Sequence, residues 1–162
     1  GKKLSYNNLV DTQAAIDVVY SLKEPTAVII KHAMPCGVAY GASIATAFDA
    51  ALNSDRKSAF GGIIGFNRPV DEKTALELES LFVEVVIAPA FDPKALTVLK
   101  QKKSLRLLVL SQDAPHPTHS YKYLPGGLLV QTNDSQCLTA ADLTQVSGCS
   151  VSEALLDDMI FS

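Results

Sequence analysis

The stretch TAVIIKHAMPCGVAYG, residues 26–41, places a continuous apolar run directly before a lysine and a histidine. The run AVII (27–30) is typical of a short strand that is covered on both faces. A proline follows closely and keeps the chain extended or turning, because it disfavours helical angles at the residue before it. We therefore expect Lys31 and His32 to lie at the carboxyl end of a central strand that enters a loop.

Outward from this stretch, strand-like and helical segments alternate along most of the chain. Further strands are predicted at GGIIGF (61–66), FVEVVIAP (82–89), LRLLVL (105–110) and GGLLVQT (126–132), the last at an edge or antiparallel. Helices are predicted to begin at the N-cap residues Asp11, Ser43, Asp71 and Asp92. The polar segment SQDAPHPTHS (111–120) is predicted to be a loop. This alternation indicates an α/β fold with a mixed sheet and helices on both faces.

Composition excludes several classes of protein. The chain has 162 residues, 48% apolar and 19% charged, which is typical of one domain, or one lobe of a larger one, with a sizeable core. A net charge of −3 without a concentrated basic stripe argues against nucleic-acid binding. No apolar run approaches the roughly 18 residues of a membrane span. The three cysteines, Cys36, Cys137 and Cys149, are too few and too scattered for a disulfide framework. We therefore expect a soluble, cytoplasmic protein.

The lysine–histidine pair has the chemistry of a proton-transfer site. Neighbouring residues of a strand point to opposite faces, so Lys31 and His32 can converge only where the strand has ended. Histidine exchanges a proton near neutral pH, and an ammonium stabilises negative charge that grows on a carbonyl oxygen. Ligands bind at the carboxyl ends of strands in open α/β sheets. The dipeptide alone still favours the structural alternative, a solvated lysine beside a histidine bonded to the backbone.

Two further regions are candidates for ligand contact. Gly61 and Gly62 would allow a backbone to approach a ligand, with Ser58 and Asn67 as polar contacts, although a packing role explains the glycines equally well. Glu84 stands inside an apolar strand, where an unpaired buried carboxylate is costly. Its side chain therefore either faces solvent near an edge or has a specific partner, and the sequence favours neither.

A metal site is not expected. The zinc deaminase signature needs His-x-Glu and Pro-Cys-x-x-Cys, but Met34 and Ala39 occupy two of those positions after His32 and Cys36. Cys36 is better explained as a small buried residue than as a nucleophile. His116 and His119 lack nearby acidic or cysteine partners in the sequence. We therefore interpret them as surface residues and not as metal ligands. There is no P-loop and no dinucleotide-binding glycine motif.

The segments KHAMPCG, SAFGGIIGFN, FVEVVIAP, RLLVL and GGLLVQ, in this order, closely resemble the transformylase domain of the PurH family of bifunctional purine biosynthesis enzymes. The resemblance covers nearly the whole chain, including its opening GKKLSYNNLVDTQAAI. Met34 is a departure, because bacterial members usually carry asparagine there. We expect it to change local packing and to leave the chemistry intact.

The resemblance implies an enzyme that transfers a formyl group from 10-formyltetrahydrofolate to the 5-amino group of the aminoimidazole carboxamide ribotide AICAR. A separate domain would act as IMP cyclohydrolase. The resemblance also implies a cytidine-deaminase-like fold, a homodimer, no bound cofactor or metal, and the folate as a co-substrate. Residues 1–162 would be the first lobe of the transformylase domain, truncated at both ends and inactive or nearly so in isolation.

By the same resemblance, His32 matches the proton acceptor and Lys31 the residue that stabilises the transition state. Gly61 matches a residue lying against both substrates, Glu84 an acidic contact to the ribotide, and Phe60 packs on a ring. Two other interpretations stay open. One is a non-catalytic nucleotide-binding or dimerisation module of the same fold, and the other, weakened by the missing ligands, is a zinc deaminase.

Overall fold

The computed structural model describes residues 2–111, 117–134, 136, 138–148 and 150–161. The chain forms two compact units, Gly1–Ala114 and Pro115–Ser162. His116, Cys137 and Cys149 lie outside the described residues, so the expectations about them stay predictions. No helix in the described ranges is long and apolar enough to span a bilayer.

The first unit is built around a five-stranded mixed sheet with the strand order β2-β1-β3-β4-β5. Strand β1 pairs antiparallel with β2 and β3, whereas β3, β4 and β5 are parallel to one another. The predicted mixed α/β sheet is therefore confirmed. Its elements, in chain order, are α1 (Tyr6–Ser21), β1 (Thr26–Lys31), β2 (Met34–Tyr40), α2 (Ile44–Ser54), β3 (Gly62–Phe66), α3 (Glu72–Glu79), β4 (Val83–Ala88), α4 (Pro93–Leu99) and β5 (Arg106–Val109).

Helices cover both faces of this sheet, as predicted. On one face, Ala15 and Val19 of α1 pack on alternate strand residues, among them Val28 and Val85. On the other, a larger cluster unites α2, α3 and α4 with the remaining strand side chains. Both faces of β1 and β3 are thus covered, which explains why these strands are continuous apolar runs.

Helix starts follow the capping signals, with one exception. Ser43 and Asp71 accept hydrogen bonds from the backbone N–H three residues later, as expected of N-caps. Asp92 also precedes its helix as predicted, although its side chain makes no capping hydrogen bond among those described. The prediction that Asp11 begins the first helix is wrong. Ser5 caps α1 through a reciprocal pair with Asn8, so Asp11 lies in the second turn.

The prediction of a loop after His32 is also wrong, because the chain reverses at once into β2. His32 and Ala33 have φ of 55° and 62°, the left-handed angles that a tight two-residue hairpin turn requires. Strand β2 lies at the sheet edge, where Pro35 is tolerated despite lacking an N–H. Gly37 brings β2 close to α2, since a Cβ there would lie 2.1 Å from the Ala51 carbonyl oxygen.

The second unit contains an antiparallel hairpin of β6 (His119–Leu124) and β7 (Gly127–Thr132). A 3₁₀ turn at Ala140–Asp142 and helix α5 (Glu153–Phe161) follow. The strand predicted at 126–132 is confirmed and is antiparallel, but it belongs to this separate hairpin. The loop predicted over 111–120 is wrong at its end, because His119 and Ser120 lie in β6. None of the residues described in this unit is buried.

Candidate functional site

The lysine–histidine pair lies at the β1–β2 turn. Lys31 is the last residue of β1 and pairs with Met34, so His32 and Ala33 form the turn between them. The His32 side chain is exposed and Lys31 is half-buried. The imidazole is therefore open to solvent and is not sealed in the core. Proton exchange with a ligand requires this access.

The Lys31 ammonium joins the pair to the second candidate region. Its Nζ donates to the Phe60 carbonyl oxygen at 2.7 Å. It also lies 3.3 Å from the position that a Cβ on residue 61 would occupy. Gly61 has φ +69°, an angle that glycine adopts without strain. The backbone angle therefore favours glycine at position 61, and a side chain there would also crowd the Lys31 ammonium.

Two aromatic rings stand beside this contact. The Phe60 and Phe82 centroids are 5.1 Å apart, and the Gly61 N–H donates to the Phe82 carbonyl oxygen at 2.8 Å. Phe60 is 63% exposed and Phe82 is 43% exposed, so the rings form a partly open apolar surface. Sequence reasoning missed Phe82. Its position at the start of FVEVVIAP, just before a buried strand, is the signal that could have identified it.

The position of the pair in the sheet corrects one part of the sequence argument. Lys31 and His32 do lie at and just beyond the carboxyl end of β1. However, β1 runs antiparallel to β3, with Ile30 opposite Ile63, so the amino ends of the parallel strands lie at this edge. The rule that ligands bind at carboxyl ends of parallel strands therefore does not apply here. Ligand contact at this edge depends on the side chains of the turn and of its neighbours instead.

Glu84 has specific partners within the chain. Asn8 of α1 donates from Nδ2 to Glu84 Oε2 at 2.9 Å, and Arg106 of β5 lies 3.5 Å from the same oxygen. The Arg106 guanidinium also donates to the Lys3 carbonyl oxygen. The β3–β4 register shifts at Glu84, since Gly62 pairs with Val83 and the next residue pairs with Val85. The strand carboxylate is therefore held by a cation and an amide, and no local sequence pattern pointed to either partner.

Ser58 and Asn67, the other polar candidates, are occupied in local structure. The Asn67 amide is buried and bonds Thr26, Leu22 and Glu24 at the opposite end of β3. Ser58 donates to Asp55 at 2.6 Å, and hydrogen bonds from Ser58 hold the pKa of that carboxyl below its usual range. Both residues hold the chain in place around the strand.

Cys36 lies near the pair on β2 and is half-buried. Burial raises the pKa of its thiol, the Asp55 carboxylate raises it further, and the Lys31 ammonium lowers it. A raised thiol pKa leaves little thiolate at neutral pH and agrees with a packing role.

Metal-ligand geometry is not found in the described ranges, where no group of three or more His, Cys, Asp or Glu could hold an ion. His119 is exposed and its Nδ1 lies 2.9 Å from the Thr118 hydroxyl. Two surface depressions, of about 640 and 380 Å³, are lined by α3–α4 residues around Asp71 and by residues around Lys102. Neither is lined by Lys31, His32 or Gly61.

The structure thus brings Lys31, Phe60 and Gly61 together beside His32, and it places Glu84 in a second network. Helix α1 touches both groups, because Asn8 bonds Glu84 and Asp11 Oδ1 accepts the Ala33 N–H at 2.6 Å. The catalytic and binding roles of these residues stay predictions.

Comparison with solved structures gives only weak likenesses. RibD of Acinetobacter baumannii, in its form 2, is 16% identical with a TM-score of 0.47, over 65% of this chain and 36% of that one. A likeness of this size carries no argument about fold or function. The mixed α/β architecture therefore rests on the sheet and helices themselves.

Comparison with sequences is decisive. The family model described as AICARFT/IMPCHase bienzyme matches residues 1–162. Proteins described as "Bifunctional purine biosynthesis protein PurH" are similar over the whole chain: 47% identical in Acetivibrio thermocellus and 48% in Rhodospirillum rubrum, covering 32% and 31% of those proteins. The chain thus spans about a third of the length of these relatives. On this evidence from its full length, the chain belongs to the AICARFT/IMPCHase bienzyme family.

Proposed function

We propose that this chain contributes to a formyltransferase that moves a formyl group from 10-formyltetrahydrofolate to the 5-amino group of AICAR. Family membership supports the reaction class. The observation that carries the residue assignment is the contact of the Lys31 ammonium with the Phe60 carbonyl oxygen and with the space beside Gly61. Lys31 directly precedes His32 in the chain. Two motifs separated by nearly thirty residues of sequence thereby meet around one potential reacting centre.

His32 acts as the general base in this proposal. An amino group conjugated with a carboxamide-bearing ring is a weak nucleophile, so loss of its proton during attack lowers the barrier. The imidazole accepts that proton while the new bond forms between the amino nitrogen and the formyl carbon. The carbon–nitrogen bond to the folate then breaks, and a proton passes to the folate nitrogen. A positioned base typically contributes about 10²–10⁴-fold to such a rate.

Lys31 stabilises the oxyanion of the tetrahedral intermediate. An ammonium has three N–H donors, and the Phe60 carbonyl accepts one of them. The others can point at the formyl oxygen as its negative charge grows. Because the Phe60 contact fixes the lysine before substrate arrives, little reorganisation is needed during the reaction.

The remaining assigned residues bind substrate. Gly61 lets a substrate approach the backbone, and the exposed ring of Phe60, with Phe82 beside it, offers an apolar surface to a planar heterocycle. Glu84, fixed by Asn8 and Arg106, is an acceptor for N–H or O–H groups of the ribotide. No step of the proposal requires a metal.

The proposal extends to the whole enzyme. Residues 1–162 form the first lobe of the transformylase domain in a cytoplasmic homodimer, and IMP cyclohydrolase activity belongs to another domain. The folate is a co-substrate that is consumed. Support for this part is the family match together with the word "bifunctional" in the names of the relatives.

The test is a chimera in which these 162 residues replace the matching segment of the Acetivibrio thermocellus relative. His32→Ala should lower kcat for formyl transfer by about 10²–10⁴-fold, because the base is lost. Ribotide affinity, measured by calorimetry, should change much less. His119→Ala removes another exposed histidine and should leave kcat unchanged. Near-normal turnover in the His32→Ala chimera would remove this residue from the mechanism.

A further inference from the structure

The turn that carries His32 is strained. Both of its central residues have left-handed φ angles, and turns of this kind strongly prefer sequences such as Asn-Gly. For an L-residue with a Cβ, the left-handed helical conformation is unfavourable, because the Cβ comes too close to the following carbonyl oxygen. Ala33 has no side-chain group that could offset this cost locally. A strained turn persists only where its surroundings hold it.

Among the contacts of the described residues, a side-chain hydrogen bond reaches this turn from outside the hairpin. The Asp11 carboxylate accepts the Ala33 N–H at 2.6 Å, from a helix 22 residues earlier in the chain. A hydrogen bond to an ionised acceptor is roughly twice as strong as one between neutral groups. Helix α1 is itself fixed on the sheet, because Ala15 and Val19 are buried against β1 and β3. Asp11 therefore connects a rigid helix to the strained turn.

The same face of α1 also contacts Glu84, the carboxylate held by Asn8 and Arg106. Asn8 and Asp11 are three residues apart, a spacing that sets side chains on one face of a helix. Asn8 bonds Glu84, and Asp11 bonds the residue after His32. Asp11 does not cap the helix, and the hydrogen bond described for its side chain is the one with the turn.

We propose that Asp11 is a positioning residue: its carboxylate keeps the His32–Ala33 turn in its strained conformation and thereby holds the imidazole where the reaction needs it. The consequence for turnover rests on the proposed formyl transfer. The consequence for the turn does not.

The first measurement is amide hydrogen exchange in the 162-residue chain. Asp11→Ala should speed exchange of the Ala33 amide by about tenfold or more, because the N–H loses its acceptor. Asp17→Ala is the matched control, since this exposed carboxylate on the same helix bonds only Gln13 among the contacts described. It should leave Ala33 exchange unchanged. Unchanged exchange in Asp11→Ala would overturn the proposal.

The second measurement is kinetic and uses the chimera. Asp11→Ala should lower kcat on the order of 10–10²-fold with ribotide KM changed less than threefold, as expected of a misplaced catalytic group. Asp11→Asn keeps an oxygen acceptor and should recover most of the loss. A fall in kcat and rise in KM of equal size for both variants would indicate general destabilisation and would overturn the positioning role.

A second variant keeps the test informative if Asp11→Ala folds poorly. Ala33→Gly removes the strain of the left-handed angle at position 33. The loss of stability caused by Asp11→Ala should therefore be smaller when glycine occupies that position. Strictly additive effects on stability would contradict the proposed coupling. The two proposals fail separately: normal turnover in His32→Ala contradicts the formyl-transfer assignment, whereas normal turnover in Asp11→Ala alone contradicts only the positioning role.

Discussion

At the scale of single residues, the electrostatic environment of the β1–β2 turn can be measured through Cys36. The thiol is half-buried and feels the Asp55 carboxylate and the Lys31 ammonium with opposite effects on its pKa. Because the thiolate is the reactive form, the alkylation rate at a fixed pH reports the charge around it.

We predict opposite effects on this rate from the two charges. In a background with Cys137→Ser and Cys149→Ser, Lys31→Met should raise the Cys36 pKa further and slow alkylation by iodoacetamide at pH 8. Asp55→Asn should lower the pKa and speed the reaction, since a negative charge that opposes thiolate formation is removed. Mass spectrometry of samples quenched at successive times of alkylation gives both rates. Unchanged rates in both variants would show that burial alone sets this thiol's reactivity, and changes of the same sign would contradict the opposite effects of the two charges.

At the scale of elements, the sequence could predict most of the sheet and little of the site. The buried strands were predictable because both faces are covered and nearly every position is apolar, Glu84 of β4 being an exception. Strand β2 was not, since the His32–Ala33 turn lacks the usual Asn or Gly. The start of α1 was missed because Asn8, instead of Glu or Gln, completes its capping box.

The convergence of Lys31 with Gly61 required knowledge beyond local pattern. It depends on the antiparallel register of β1 with β3, a pairing set by the packing of the whole sheet. The partners of Glu84 likewise come from α1 and β5, far away in the chain. Local patterns supplied most of the candidate residues, the family resemblance supplied their roles and Phe60, and the structure supplied the contacts that join them.

Lys102 provides an element-scale prediction about the end of α3. Its Nζ donates to the carbonyl oxygens of Glu79 at 2.5 Å, Leu81 at 2.9 Å and Leu78 at 3.4 Å. Lys102→Met keeps the apolar stem and leaves these carbonyls without the cation, so it should lower the free energy of unfolding by about 1.5–3 kcal/mol. Urea denaturation measures the loss. Lys103→Met, at the exposed neighbouring position, should cost less than about 0.5 kcal/mol. Equal effects of the two substitutions would contradict the capping role.

At the scale of the whole molecule, stability is concentrated in the first unit. Every buried apolar residue described lies between Ala15 and Leu105. The second unit has a two-stranded hairpin with exposed side chains, including Tyr123 at 84% exposure. An isolated two-stranded hairpin is marginally stable in water.

We therefore predict a large contrast in hydrogen exchange along the isolated chain. Amides of β1, β3 and β4 should exchange at least about 10²-fold more slowly than those of β6 and β7, because only the former open with the global core. Mass spectrometry of peptic fragments resolves the two groups. Comparable protection in β6 and β7 would mean that the hairpin is covered, for instance by a second copy of the chain, and protection would then rise with protein concentration.

Helix α1 contacts the strained turn through Asp11 and the strand carboxylate through Asn8. A displacement of α1 along its axis would therefore move the Asn8 amide and the Asp11 carboxylate together. Substitutions on its buried face would therefore have two consequences: weaker packing on the sheet and, under the proposed role of Asp11, a displaced His32 turn. A substitution that the fold tolerates would in this way still displace the His32 turn and Glu84 together.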